Sequence, residues 1–427
     1  MILIYKFFTN IFYPFLILFT FLRKIKKKED PIRYKEKVFA SSFKISRKKN
    51  SKLIWFHAAS VGEMNSIIPI INELKKNNDD FEFLITTVTL SSGNLIKKKL
   101  QDSNNIHHRY FPLDVDFLIK KFVEMWRPNI VFFVDSEIWP NLIMNLHKNS
   151  IPFSVINARI TKKTFKRWFL FKKTAKVIFS KFKLFLASNK ETINYLNKLG
   201  ASNIVYNGNI KLLSEINVKS ISNLNKLALK KNKFWLSAST HDGEEDFCLK
   251  THLLLKNEFN KLKTLIAPRH ISRSEKIKKL CDNYNLNSQI LNEDDLINDE
   301  SEIIIINSFG ILNQFYKYAK SVFVGKSTLK ILKNVGGQNP IDAAKLGCKI
   351  YHGPYIYNFS EIYEILKNLK ISNQVNSPEE LFSYLKQDLV QSKEVNTEVN
   401  SSINNLSNEI FEITMNNINR FILNEAL

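Results

Sequence analysis

Residues 53–69 read LIWFHAASVGEMNSIIP. An apolar run, Leu53 to Phe56, passes through His57-Ala58-Ala59-Ser60-Val61-Gly62 into a helical pattern near Met64, and one carboxylate, Glu63, stands at the junction. Strand, small-residue turn, helix is the repeating unit of a parallel sheet.

The same unit recurs outward from this stretch. Between residues 53 and 210 the apolar runs LIWFHA, FEFLITTVT, HHRYFPL, IVFFVDSEIW, FSVINAR, KLFLASN and NIVYNGN alternate with helical segments. Residues 212–232 are polar and rich in Asn and Lys, as a connection between domains would be. A second series follows: FWLSAST, TLIAPRH, IIIINS, SVFVG and KIYHGP. The chain of 427 residues is too long for one ordinary core, so the expectation is two doubly wound α/β domains, with ligand bound where strand C-terminal ends meet a crevice. The boundaries read as 1–28 for an N-terminal anchor, 29–211 for the first domain, 212–232 for the linker and 233–427 for the second domain with its C-terminal helices, one of them starting at NSPEEL.

Residues 7–22, FFTNIFYPFLILFTFL, are nearly all apolar and are followed at once by Arg23, Lys24, Lys26, Lys27 and Lys28. A cleavable signal would carry its charge first and small residues afterwards, so the run reads as a retained membrane anchor helix with a basic collar. It is short for a spanning helix of about 20 residues and contains Pro14, so spanning and shallow insertion both remain open. The collar places the globular part on the cytoplasmic side.

Sixty-three Lys and Arg against 40 Asp and Glu leave a net charge of +23, which suits an anionic partner. No aromatic-basic pattern of an RNA-binding sheet is present, so no nucleic acid partner is expected. Cys248, Cys281 and Cys348 are widely spaced without CxxC, and no HExxH occurs, so neither a disulfide frame nor a metal site is expected. Gly325-Lys326-Ser327-Thr328 looks like the end of a phosphate-binding P-loop, but that motif needs glycine where Lys320 stands, which excludes the ATPase reading.

Glu63 at a strand end is either a proton acceptor or a first-turn carboxylate favoured by the helix dipole. Asp135 and Glu137, after the run IVFFV, repeat that placement, again as functional carboxylates or as helix caps. Pro268-Arg269-His270 and Ser239-Thr240-His241 offer donors at strand ends, which suits a phosphate ligand or a solvated loop. Residues 336–342, GGQNPID, resemble a glycine turn leading into a helix start.

Taken together, FHAASVGE, SEIWPNLI, INARI, GNIK, ASTHDGEE, APRH, FVG, GGQNPIDAAKLG and HGPYIYNFSEI resemble the 3-deoxy-D-manno-octulosonic acid (Kdo) transferases of lipopolysaccharide synthesis, in family order from about residue 30 to 370. The resemblance implies a GT-B glycosyltransferase, two Rossmann-like domains facing a central cleft, that transfers Kdo from CMP-Kdo to a lipid A precursor with inversion at the cytoplasmic face of the inner membrane. It implies Glu63 as general base, and Glu137 and Lys211 as transition-state stabilisers, with Asp135 standing in for Glu137 if need be. It places CMP on Pro268, Arg269, Gly310, Ile311, Leu312, Asn339, Pro340, Ile341 and Asp342, and it implies no metal and no cofactor beyond the substrate CMP-Kdo. Three positions depart from the family pattern: Ile311 stands where an acidic residue is usual, Asp342 replaces Glu, and the 326–335 loop is longer. The alternatives are a GT-B enzyme with another donor or acceptor, and a membrane-tethered basic scaffold without catalysis.

Overall fold

The computed structural model describes residues 1–426 except 46, 49, 50, 79, 101, 102, 217–221, 309 and 391–396. The chain divides into two compact units: residues 1–215 together with 407–427, and residues 216–406.

In the first unit, β1 (Lys52–His57), β2 (Phe81–Thr87), β3 (Ile106–Tyr110), β4 (Ile130–Val134), β5 (Phe153–Ala158), β6 (Leu184–Ala187) and β7 (Ile204–Tyr206) form one parallel sheet in the order β3-β2-β1-β4-β5-β6-β7. The central strands are largely apolar runs because both faces are covered, whereas the edge strand β3 is IHHRY. In β4 the alternation is visible: Phe133 packs edge-on to Phe153 and Phe182 on one face, while Phe132 stacks on Phe56 and meets Phe421 on the other.

In the second unit, β8 (Lys233–Thr240), β9 (Leu262–Pro268), β10 (Ser288–Leu291), β11 (Ile303–Ile306), β12 (Ser321–Val324), β13 (Lys349–His352) and β14 (Ser372–Gln374) form a second parallel sheet in the order β10-β11-β9-β8-β12-β13-β14. In each sheet the first strand lies inside, between β2 and β4 or between β9 and β12, so the order reverses beside it. Ligands of doubly wound sheets bind outside the strand C-terminal ends at that switch point. Glu63 follows β1, and Asp135 and Glu137 follow β4, so the acidic pair of loops flanks the switch point of the first sheet.

Three expectations change. The last helix, Thr397–Ala426, does not belong wholly to the second domain: from Ser407 onward it completes the first unit, where Thr414 Oγ1 accepts from Asn207 Nδ2 at 2.8 Å and Ser407 Oγ donates to the Leu212 carbonyl at 2.9 Å. No local pattern signals that return, which depends on a tertiary match between the helix and the bare face of β4. The connection 212–232 contains a helix, Asn223–Lys231, capped by Ser222 and tied into the second unit by Asn225, which donates to the Asp295 carbonyl and accepts from Ile297 N; its residues 217–221 lie outside the described residues.

The expected single anchor helix is two, Ile2–Ile11 and Tyr13–Ile25, bent by 59°, and neither alone is long and apolar enough to cross a membrane. Pro14 in the first turn of the second helix supplies no amide to continue the first. One face of the pair docks on the first unit. Ile2, Tyr13 and Leu16 pack on its core, Tyr13 makes an edge contact with Phe117, and Lys6 pairs with Asp116 at 2.8 Å. The other face exposes Phe7, Phe8, Phe12, Phe15, Leu18 and Phe19, each half exposed or nearly so.

Candidate active site

Glu63 is held by a reciprocal capping arrangement at the start of the helix Val61–Asn77. Ser60 is the N-cap, and its hydroxyl accepts from Glu63 N at 3.3 Å and donates to Glu63 Oε1 at 2.7 Å, while Ala59 N donates to Oε2 at 2.7 Å. The helix-cap reading of the sequence is therefore correct as local structure. It also fixes the carboxylate at the switch point. Burial pushes the Glu63 carboxyl above its ordinary range; the negative charges of Asp135 and Glu137 push the same way, and the hydrogen bonds from Ser60 and Ala59 oppose them. A rigid carboxylate of raised basicity is suited to proton abstraction. A Cβ built at Gly62 would meet nothing within 4 Å, so there is open space beside it.

The β4 loop brings the other charges. Asp135 sits at φ 65°, a conformation a non-glycine residue seldom adopts, fixed by its amide on the Ile156 carbonyl at 2.9 Å. Lys211 Nζ lies 2.8 Å from Asp135 Oδ2. Thus the lysine matched from the family pairs with Asp135, and Glu137 is held elsewhere: Trp139 Nε1 donates to Glu137 Oε2 at 2.8 Å, and His57 Nε2 lies 3.4 Å from the same oxygen.

The supports of these groups were not singled out from the sequence. His57 is fully buried; its Nδ1 lies 2.9 Å from Thr86 Oγ1, which also accepts from Trp55 Nε1 at 2.8 Å. The pairing of His57 with Thr86 is set by the β1–β2 register, which a single sequence does not display. Asn157, in INARI, accepts from Ile210 N at 3.0 Å and so positions the short 3-10 turn Ile210–Leu213 that carries Lys211. Asp114 accepts from Asn141 N at 3.0 Å and Leu142 N at 2.9 Å, capping the helix Pro140–Lys148 just after Glu137. Tyr5 donates to that same carboxylate at 3.0 Å, and Asn141 Nδ2 donates to Thr9 Oγ1 at 3.1 Å. The first N-terminal helix thus braces the acidic loop.

In the second unit, Pro268 ends β9 and Arg269 follows it, its amide on the Thr240 carbonyl at 3.0 Å and its side chain exposed. Gly310 has φ 76°, which its lack of a side chain permits, and leads into the helix Leu312–Tyr316. Ile311 is 2% exposed, so the position that is acidic in the resemblance belongs here to the core. Asp342, at the start of the helix Ile341–Lys345, is raised above its ordinary range by burial, against the opposing hydrogen bond from Asn313 and the charge of Lys345. That contact brings the 310–312 and 339–342 segments together. The expected open helix start is partly occupied: Asn339 Oδ1 accepts from Ile341 N at 3.0 Å. Pro340 precedes it as N-cap.

The apparent P-loop tail grips a protein carboxylate. Glu244, fully buried, accepts from the amides of Lys326, Ser327 and Thr328 at 2.6, 2.7 and 3.0 Å, from Thr328 Oγ1 at 3.1 Å and from His241 N at 2.9 Å. Gly325 is required there, since a Cβ would come within 2.7 Å of Ser239 O and Thr240 Cα.

Residues 33–214 match the family described as 3-deoxy-D-manno-octulosonic-acid transferase (kdotransferase). A 3-deoxy-D-manno-octulosonic acid transferase from Rickettsia felis is 30% identical over 336 residues, 78% of this chain and 70% of the relative. One from Haemophilus influenzae is 29% identical over 369 residues, 85% and 83% of the two chains. Among solved structures, the UDP-GlcNAc 2-epimerase of Neisseria meningitidis bound to UDP-GlcNAc is similar with a TM-score of 0.54 at 12% identity, covering 86% of this chain and 100% of that one. Anabaena HepE in complex with UDP is similar at 0.53 and 11%, covering 87% and 99%. Likeness at these identities establishes a GT-B-like α/β fold.

Proposed function

Because the chain belongs to the Kdo transferase family, glycosyltransferases of lipopolysaccharide synthesis, we propose that it transfers Kdo from CMP-Kdo to a lipid A precursor with inversion. The observation that carries the mechanism is the buried, basic carboxylate of Glu63 at the switch point, flanked by the Asp135–Lys211 pair and by Glu137. Glu63 takes the proton of the acceptor hydroxyl as its oxygen attacks the anomeric carbon, and CMP leaves from the opposite face. Lys211 and Glu137 stabilise the charge that develops, their positions fixed in advance by Asn157, Asp135 and Trp139. Arg269 binds the nucleotide phosphate, Gly310 to Leu312 and Asn339 to Ile341 line the nucleotide, and Asp342 accepts from a ribose hydroxyl. No metal or cofactor enters this scheme.

The enzyme works at the cytoplasmic face of the inner membrane. An acylated acceptor leaves a bilayer at a cost of about 0.8 kcal/mol per buried CH2, so the enzyme goes to it. The docked inner face and exposed aromatic outer face of the N-terminal pair favour a helix pair lying in the membrane interface over one that spans it.

Incubation with CMP-Kdo and a tetra-acylated lipid A precursor should give a product heavier by one or more Kdo residues in mass spectrometry. A chain that folds, binds another nucleotide sugar and gives no such gain would be a GT-B enzyme of different donor. Deleting residues 1–25 should lower activity on acceptor in vesicles strongly, and on detergent-dispersed acceptor to a lesser but measurable degree, because Tyr5 and Thr9 brace the helix after Glu137. Full activity in detergent would show that this brace is dispensable.

A further inference from the structure

Away from the N-terminal pair and the acidic cluster, the first unit carries an apolar turn that points outward. The helices Lys162–Phe169 and Lys172–Phe179 meet at Phe169-Leu170-Phe171, which are 42%, 78% and 49% exposed. These are not loosely held core residues: the inner face of the first helix is already satisfied, with Phe165 stacked on Tyr195 at 4.4 Å, Trp168 edge-on to Phe179 at 5.3 Å, and both Phe165 and Trp168 packed against the core. The turn is what remains, three consecutive large apolar side chains that each keep two fifths or more of their surface exposed.

The two helices that meet at the turn carry charge of one sign, and Glu191, on the helix Lys190–Leu199 packed against both, is the first carboxylate after them in the chain. From Arg159 to Lys190 the chain has eleven Lys or Arg and no Asp or Glu. Lys166, Arg167, Lys172 and Lys173 adjoin the apolar apex, and all four are exposed. Lys172 Nζ lies over the Phe169 ring, 5.4 Å from its centroid, so a cation and an aromatic ring are held together at the apex. An apolar apex in a cationic collar complements a surface that is anionic in its outer layer and apolar beneath, which is a bilayer containing anionic lipid. A nucleic acid would answer the charge but would leave Leu170, the most exposed of the three, against water or phosphate. The turn also lies on the same side of the sheet as the N-terminal pair, since the helix Pro140–Lys148 touches both Ile2–Ile11 and Lys172–Phe179.

We propose that the Phe169–Phe171 turn and its basic collar form a second membrane contact of the first unit, inserting apolar side chains between anionic headgroups independently of the N-terminal helices. The contact does not depend on which sugar is transferred. It also goes beyond the proposed anchoring, because it fixes rotation about that anchor where a single attachment leaves rotation free.

The test uses the full chain carrying Leu170→Cys, labelled with an environment-sensitive fluorophore; Cys248, Cys281 and Cys348 are buried and resist labelling. Vesicles of phosphatidylcholine mixed with phosphatidylglycerol should blue-shift and brighten the label, vesicles of phosphatidylcholine alone should do so far less, and salt should reverse the shift. Separately, Phe169→Ser/Leu170→Ser/Phe171→Ser and Lys166→Glu/Arg167→Glu/Lys172→Glu/Lys173→Glu should each lower partition onto the mixed vesicles about tenfold with an unchanged melting temperature. Sedimentation with vesicles but no response at position 170 would overturn the second contact while leaving the N-terminal attachment intact. Loss of binding in the charge variant alone would overturn insertion. Binding of an oligonucleotide in preference to the vesicles would overturn the choice of partner.

Discussion

Glu63→Gln should leave a folded chain that still binds CMP and turns over about 10²–10⁴-fold more slowly, the range that a positioned general base contributes. The glutamine oxygen accepts from Ala59 N or the Ser60 hydroxyl much as the carboxylate does, so the capping arrangement survives and the loss isolates the missing base. In the native chain, the proton affinity of Glu63 is raised by burial and by Asp135 and Glu137. The acid limb of kcat/KM should therefore lie above the ordinary glutamate range and vanish in the variant.

Stability should move the opposite way. A carboxyl whose folded pKa exceeds its unfolded value favours folding most below the unfolded pKa, and that contribution is lost as pH rises through the folded pKa. Above its folded pKa the ionised Glu63 is thus a burden on folding, and there Glu63→Gln should melt at the same temperature as the native chain or higher. Thermal denaturation and steady-state kinetics at several pH values check both halves. Turnover within a few-fold of native would remove Glu63 from the role of base.

The other large effect is structural. Glu244→Ala removes the one acceptor shared by four backbone amides and a hydroxyl in the second unit, at a site with no solvent exposure. A buried donor left without its partner costs about 1–3 kcal/mol, so even with water entering the gap a net loss of about 3–5 kcal/mol is expected. Because Lys326 O in turn accepts from Gly337 N at 2.6 Å, the disturbance should spread along the loop to the Asn339–Asp342 segment and raise the KM for CMP-Kdo. Urea unfolding and donor titration measure the two effects. An unchanged unfolding midpoint would mean that this loop stands without Glu244.

The parallel sheets were legible because central strands buried on both faces read as apolar runs, as in IVFFV and IIIINS. Glu63 was legible as a carboxylate at a strand end; the capping geometry is present, and the same geometry leaves the carboxylate where the proposed base would have to be. What escaped the sequence were relations between distant segments. His57 meets Thr86 through register, Asn157 supports the Lys211 turn across the sheet, and Tyr5 reaches Asp114 from the other end of the domain. The GKST stretch was correctly refused as a P-loop for want of a glycine, yet nothing local announced that Glu244 takes the place of the phosphate. The break in the N-terminal helix was written in Pro14, whereas its docking depended on Asp114 and Asp116 more than a hundred residues away.

The return of the last helix to the first unit sets a timetable for synthesis. Phe132 is made early and meets Phe421 roughly 290 residues later, which at about 5–20 residues per second is some 15–60 s of translation. Through that interval the nascent first unit lacks the cover that the last helix gives to Phe132, beside an N-terminal pair whose outer face is itself apolar. Meanwhile the second unit emerges with all of its own strands in hand. The first unit to be made is thus the last to be completed, when residues 407–426 have left the ribosome.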